Sequence, residues 1–212
     1  LTDDVCGFYF SRDWSGELTP NGFKPANDWP FPSAADSPRS PLPAPPRLFF
    51  SVGPARCGKS TYARRWEEGF EMPEVLGHRV RWSQDSLRIG LHGRRYNKHL
   101  EPLVHGLKPA ILKAHLDMGH VVFVDGTHTT ARSIKQLLEV DVNAVPVLFD
   151  VPAEICIARA HATGQPDLVP VIERHCRNVR ELLGGRPIDE VMDRLRRETR
   201  EELDYRWKKY DV

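Results

Sequence analysis

An α/β fold built on a parallel sheet is the class this sequence predicts. Three observations lead there. Short apolar runs alternate with longer amphipathic stretches after Pro46, one of those runs ends in a glycine-rich loop that opens a helix, and a Pro-rich stretch sets this pattern apart from what precedes it. A chain of 212 residues is long enough for one domain with a real core. Its 30 Lys and Arg are balanced by 29 Asp and Glu, which excludes a global basic field, so any nucleic-acid contact must be local.

Residues 1–46 read as a Pro-rich, aromatic arm or linker. Residues 37–46 run SPRSPLPAPP, a composition that suits an extended segment and cannot pair into a sheet. Ahead of it stand Phe8, Tyr9, Phe10, Trp14, Phe23, Trp29 and Phe31, rings that either pack onto the following domain or engage a protein partner. A globular domain follows at 47–187 and an amphipathic C-terminal helix at 188–212.

Within the domain, Leu48–Val52 reads as a buried strand leading into the loop and a helix. Arg79–Ser83 is a second, weaker strand. Residues 99–118 are helical, with Leu100, Leu103, Leu107, Ile111 and Leu112 recurring at helical spacing. Val121–Asp125 is the clearest central strand. Residues 145–150 form another, which Pro146 places near an edge or at a strand start. Helices then cover about 153–162 and 168–183. From Ile188 onward, Val191, Met192, Leu195, Leu203 and Trp207 share one face, with pairs such as Asp193 and Arg197, or Asp204 and Lys208, on the other.

No apolar run approaches the roughly 20 residues that span a bilayer. The four cysteines, Cys6, Cys57, Cys156 and Cys176, form no C-x-x-C pair and no zinc-like group, and a reducing cytoplasm is the simplest setting for them. The chain begins with Leu1 rather than Met, which leaves an upstream segment open.

Gly53-Pro54-Ala55-Arg56-Cys57-Gly58-Lys59-Ser60 fits G-x-x-x-x-G-K-[ST] between a strand and a helix, the context that gives this P-loop motif its meaning. Triphosphate oxygens need several donors at close range, and loop N–H groups with a helix N-terminus supply them together. Gly53 and Gly58 let the backbone come close, and Ala55, Arg56 and Cys57 contribute N–H groups. Lys59 is placed to reach the β and γ phosphates of ATP, Ser60 to ligate Mg²⁺, and Thr61 to add a hydroxyl near the α phosphate.

Two carboxylates follow at strand ends, where an open α/β sheet places its ligand crevice. Asp85, with Arg88 one turn on, reads either as a helix cap or as a general base beside a phosphate-steadying arginine. Asp125 reads either as a carboxylate on Mg²⁺ or as one that orients an acceptor-binding arginine. The run 123–127 is superficially like D-x-D-G-T, but Phe123 stands where that motif's nucleophilic aspartate belongs, which excludes phosphatase chemistry there. Arg79, Arg81, Arg88, Arg94, Arg95 and Lys98, interleaved with Trp82 and Tyr96, read equally as a single-strand groove or as a solvated charged face. The nine histidines show no tight ligand spacing. His128, beside Asp125, reads as an acceptor-pocket hydrogen bond rather than a catalytic group.

Taken in order, the P-loop continuing Thr61-Tyr62-Ala63-Arg64, Asp85 with Arg88, the strand ending at Asp125 with Thr127, Phe149-Asp150-Val151-Pro152, and Val179-Arg180-Glu181 resemble the 5′-kinase domain of phage polynucleotide kinase. The resemblance covers residues 48–183. It implies a P-loop NTPase-type sheet with a helical lid, and phosphoryl transfer from ATP to the 5′-hydroxyl of a nucleic-acid end. Lys59 and Ser60 would hold triphosphate and metal. Asp85 would be the general base, and Arg88 would grip the acceptor's 3′-phosphate. Asp125 and Thr127 would line the acceptor site, and Arg159 would be a lid arginine that neutralises the transferring phosphoryl group. Two departures stand out. Thr163 occupies the place of the family's second lid arginine, for which Arg174 or Arg177 would substitute, and the family's phosphatase domain has no counterpart in this chain. The competing readings are a small-molecule kinase of similar fold and a non-catalytic nucleotide-binding module.

Overall fold

Two compact units divide the chain, Leu1–Ala44 and Pro45–Val212. The computed structural model describes residues 45–93 and 96–210, and the backbone of residues 16–19 and 22–25. In the first unit β1 (Gly16–Thr19) pairs antiparallel with β2 (Gly22–Pro25), Thr19 opposite Gly22. The linker reading of this segment passed over that hairpin, although Pro20-Asn21-Gly22 is ordinary hairpin-turn composition. The side chains of the aromatic arm, and the Pro-rich run up to Ala44, lie outside the described residues.

The second unit is built on four strands, β3 (Leu48–Val52), β4 (Arg79–Ser83), β5 (Val121–Asp125) and β6 (Val145–Leu148). All pair in parallel, in the order β4-β5-β3-β6. Pro146 therefore sits on an edge strand, where a missing N–H costs least. The two central strands are buried at every residue, as strands covered on both faces must be.

Alternation along those strands creates two cores. Phe49, Val121 and Phe123 face α1 (Lys59–Glu67), where Trp66 and Ala63 are fully buried. Leu48, Phe50, Val52, Val122 and Val124 face the opposite layer. Packed in that layer's core are Leu112 and Leu116 of α3 (Glu101–Asp117), Leu137 and Leu138 of α4 (Ala131–Leu138), and Leu195 of the terminal helix. Helix α2 (Gln84–His92) leaves the end of β4 directly. Helices α5 (Ala153–Ala162) and α6 (Val169–Leu183) follow β6, joined by a 3₁₀ turn at Pro166–Leu168, and pack against each other through Cys156, Ala160 and Ile172.

Two helical faces differ from expectation. In α3 the buried ridge is Val104, Lys108, Leu112 and Leu116, spaced by four, while Leu103 is half exposed. The leucine pattern pointed one position off because Lys108 occupies a slot that periodicity assigns to an apolar residue. In α7 (Ile188–Tyr210), Val191, Met192 and Leu195 are buried as expected, but Trp207 is 71% exposed. The second half of that helix is held to α4 by ion pairs instead, Lys135 with Glu198 and Glu202, and Arg206 with Glu139. Among the described residues no helix is long and apolar enough to cross a membrane.

Candidate active site

The loop between β3 and α1 wraps a cavity of about 670 Å³ lined by Arg56, Cys57, Gly58, Lys59, Ser60 and Thr61. Gly58 caps α1 at φ 105°, a left-handed conformation that suits glycine, and a Cβ at Gly53 would meet the Phe149 Cβ at 2.9 Å. No acidic residue lies in the first turn of α1, which leaves the positive end of its dipole without a carboxylate from its own helix. Lys59 is 7% exposed, and its ammonium donates to the Pro54 carbonyl and approaches the Cys57 sulfur at 3.3 Å. The lysine is thus held inside the loop it serves.

Arg159 and Thr163, one turn apart on α5, line the same cavity. Arg159 donates to the Arg56 carbonyl at 3.2 Å, and the Arg56 guanidinium bonds to Gln165, which ties the loop to the α5 end. Neither Arg174 nor Arg177 lines it. The remaining cations there are Arg64 and Arg65, four residues after Ser60 and Thr61 on α1. That i, i+4 spacing was the signal that could have found them.

Asp125 ends β5 at 7% exposure and is shared by two partners. Ser60 Oγ donates to one oxygen at 3.2 Å, and Arg81 donates to the other from Nη2 at 2.7 Å and from Nε at 3.2 Å. The arginine it holds is Arg81, on the neighbouring strand β4, rather than Arg88. Hard oxygen donors from Ser60 and Asp125 suit Mg²⁺, which takes few protein ligands and fills its octahedron with water and phosphate oxygens.

Asp85 lies in the first turn of α2, but the N-cap is Ser83, whose side chain accepts from Ser86 N–H. The cap-only reading of Asp85 falls on that geometry. Its carboxylate pairs with Arg88 at 2.6 Å and remains 67% exposed. Arg88 is also gripped by Glu101 through Nε at 2.8 Å and Nη2 at 2.7 Å. Those bonds raise the guanidinium's pKa and lower that of Glu101. Glu101 drew no notice in the sequence, because the α3 start carries no motif.

A second cavity, of about 320 Å³, has Arg88, Lys108, Thr127, His128 and Arg174 among its walls. Backbone and side-chain bonds stitch it to the phosphate loop. Gly53 N–H donates to the Thr127 carbonyl at 3.0 Å, and Ser51 Oγ donates to the Gly126 carbonyl at 2.7 Å. His128 is buried at φ 36°. Its Nδ1 lies 2.9 Å from the Ser51 carbonyl, which only accepts, so Nδ1 carries the proton and Nε2 accepts from Lys108 at 3.1 Å.

Burial holds the His128 imidazole down at about 3, with help from the charges of Lys108 and Lys59, and burial beside Arg174 holds His175 at about 4. Both folded values lie below the ordinary 6.5 of an unfolded histidine, so as pH falls the unfolded chain takes up protons first. Stability is fully present above about pH 6.5 and is lost as pH drops toward 4. For His128, going from pH 7.5 to 5.5 is expected to cost about 1.4 kcal/mol. Urea unfolding at the two pH values measures this, and a His128→Gln chain with an unchanged pH dependence would refute the assignment.

Of the segment that reads as a single-strand groove or as a solvated charged face, Arg79 and Trp82 serve neither. Arg79 donates to the carbonyls of Trp66, Glu71, Met72 and Val75 and stacks over Trp66 at 5.1 Å, a staple for the loop after α1. Trp82 is buried in the core. Tyr96 stays 64% exposed beside Arg88, while Arg94 and Arg95 lie outside the described residues.

No protein-family model and no curated protein matches the chain. Among solved structures, a chain of the Pnkp1/Rnl/Hen1 RNA repair complex matches with a TM-score of 0.53 at 22% identity, over 64% of this chain and 44% of that one. The present chain thus spans less than half the length of that relative. A second structure of the Pnkp1/Rnl/Hen1 complex matches at 0.46, with 25% identity over 55% and 39% of the two chains. Shikimate kinase from Acinetobacter baumannii, in complex with shikimate, matches at 0.43, with 21% identity over 73% and 80%. The first likeness shows the fold alone: an α/β domain with a parallel four-stranded sheet flanked by helices and a C-terminal helix, here carrying the P-loop motif between β3 and α1.

Proposed function

We propose that this protein transfers the γ-phosphoryl group of ATP to the 5′-hydroxyl end of DNA or RNA. The observation that carries the reading is the pairing of two cavities at one sheet edge. A phosphate cradle around Lys59 is bonded through Gly53 and Thr127 to a cationic acceptor pocket, with the Asp85–Arg88 pair beside it.

In this mechanism the loop N–H groups, Lys59 and Arg159 hold the triphosphate and offset charge on the transferring group. Ser60 and Asp125 would hold Mg²⁺, which would supply charge neutralisation at the phosphate oxygens. Asp85 accepts the proton of the 5′-hydroxyl as its oxygen bonds to the γ-phosphorus, and the bond to the β–γ bridging oxygen breaks to release ADP. Arg88, fixed by Glu101, keeps Asp85 in place. The departing ADP, the 5′-phosphorylated end and the proton that Asp85 passes on to water account for all atoms.

A small-molecule acceptor is the second reading, favoured by the size of the acceptor pocket, whose 320 Å³ would hold one compact group. Labelled ATP offered with 5′-hydroxyl DNA and RNA oligonucleotides, nucleosides and sugars decides between them. Label on oligonucleotide ends is the expected result. Label confined to nucleosides or sugars supports the second reading, and ATP binding with no labelled acceptor supports a non-catalytic module.

A further inference from the structure

Lys108 is the least explained charge in the domain. It is 6% exposed and sits in the core-facing ridge of α3 between Val104 and Leu112. Among the described residues no carboxylate pairs with it. Its contacts are the neutral His128 at 3.1 Å and the face of Trp82 at 5.6 Å. A buried ammonium without a counter-ion costs several kcal/mol, and a methionine or leucine would fill the same slot without that cost.

The cavity it opens into has the same imbalance. Arg174 and His175 of α6 line it, and no Asp or Glu does. His175 Nδ1 is buried with no hydrogen-bond partner among the described residues. Arg88 also lines this space, but its guanidinium is already spent on Asp85 and Glu101. An anion is what would satisfy Lys108, and burial lowers its ammonium to about 8, close enough to neutrality that an arriving anion secures its charge.

We propose that Lys108, with Arg174 and His175, forms a subsite for a backbone phosphate of the acceptor strand, so that Lys108 rather than Arg88 selects a nucleic-acid acceptor over an uncharged one. This rests on the reading of the protein as a polynucleotide 5′-kinase. His128 orients Lys108 by accepting one of its three N–H donors, and because His128 is bonded to Ser51 at the end of β3, the subsite is held in register with the phosphate loop.

The test compares the full chain with Lys108→Met, which keeps the buried stem, and with Arg174→Gln at an exposed position that cannot disturb the core. Each is titrated with a 5′-hydroxyl oligonucleotide and with the same strand carrying neutral methylphosphonates at its first two linkages. The unaltered protein is expected to bind the natural strand at least about tenfold more tightly, the range of one charge-assisted hydrogen bond. Lys108→Met should lose that preference and Arg174→Gln should reduce it, with ATP affinity unchanged in both. Equal binding of the two strands by the unaltered protein, or a preference that survives both substitutions, overturns the subsite. If labelled ATP still marks the 5′ end in that case, the proposed reaction stands. If instead no nucleic acid is labelled but the Lys108-dependent preference is present, the reaction falls and the subsite stands.

Discussion

Asp85→Asn is expected to slow phosphoryl transfer by about 10² to 10⁴, the usual contribution of a positioned general base, while ATP affinity stays within about twofold. The substitution keeps the size of the side chain and removes only its capacity to take a proton. Helix α2 does not depend on it, because Ser83 is the N-cap, and Arg88 remains anchored by two bonds to Glu101. The lost ion pair is largely exposed on the Asp85 side, so stability should change by less than about 1 kcal/mol. Single-turnover transfer and equilibrium ATP binding, measured on the same preparation, separate these effects. Loss of ATP binding, or transfer at the unaltered rate, would remove Asp85 from the role of base.

For Asp125→Asn two losses are expected together. Transfer should fall about a hundredfold or more, because under the proposed mechanism the carboxylate that meets Ser60 would no longer offer charge to Mg²⁺. Stability should also fall by about 3 kcal/mol, since Arg81, only 21% exposed, is left without its partner. The double variant Arg81→Met with Asp125→Asn takes the orphaned charge away and should recover most of the stability, read from urea midpoints, without recovering transfer. A double variant that regains transfer would mean that Asp125 serves the fold alone.

What could be read without coordinates was whatever local chemistry dictates. The P-loop is a continuous string whose geometry follows from its own glycines and the helix it opens, so Gly53, Gly58, Lys59 and Ser60 were visible at once. The strands were legible because a two-sided core demands unbroken apolar runs, and Pro146 announced an edge before the sheet order was known. Asp85 and Arg88 were legible as a pair because one helical turn separates them.

Long-range partners carried no such signature. Glu101 lies 13 residues from Arg88 and Arg81 lies 44 from Asp125, and nothing in either segment marks the match. Arg79 and Trp82 looked like groove residues because a basic, aromatic segment reads the same whether its rings face solvent or core. Lys108 was invisible for the complementary reason: a lysine among leucines passes for the polar side of a helix, and only packing reveals that it takes the buried slot.

The sequence alone thus determined that the chain carries a P-loop motif on a parallel α/β sheet, since both follow from interactions within a few residues. Which charges are spent on the fold and which are left for ligands was decided by tertiary structure. A charge's meaning depends on the partner it finds and the water it loses, and both are set by residues distant in the chain.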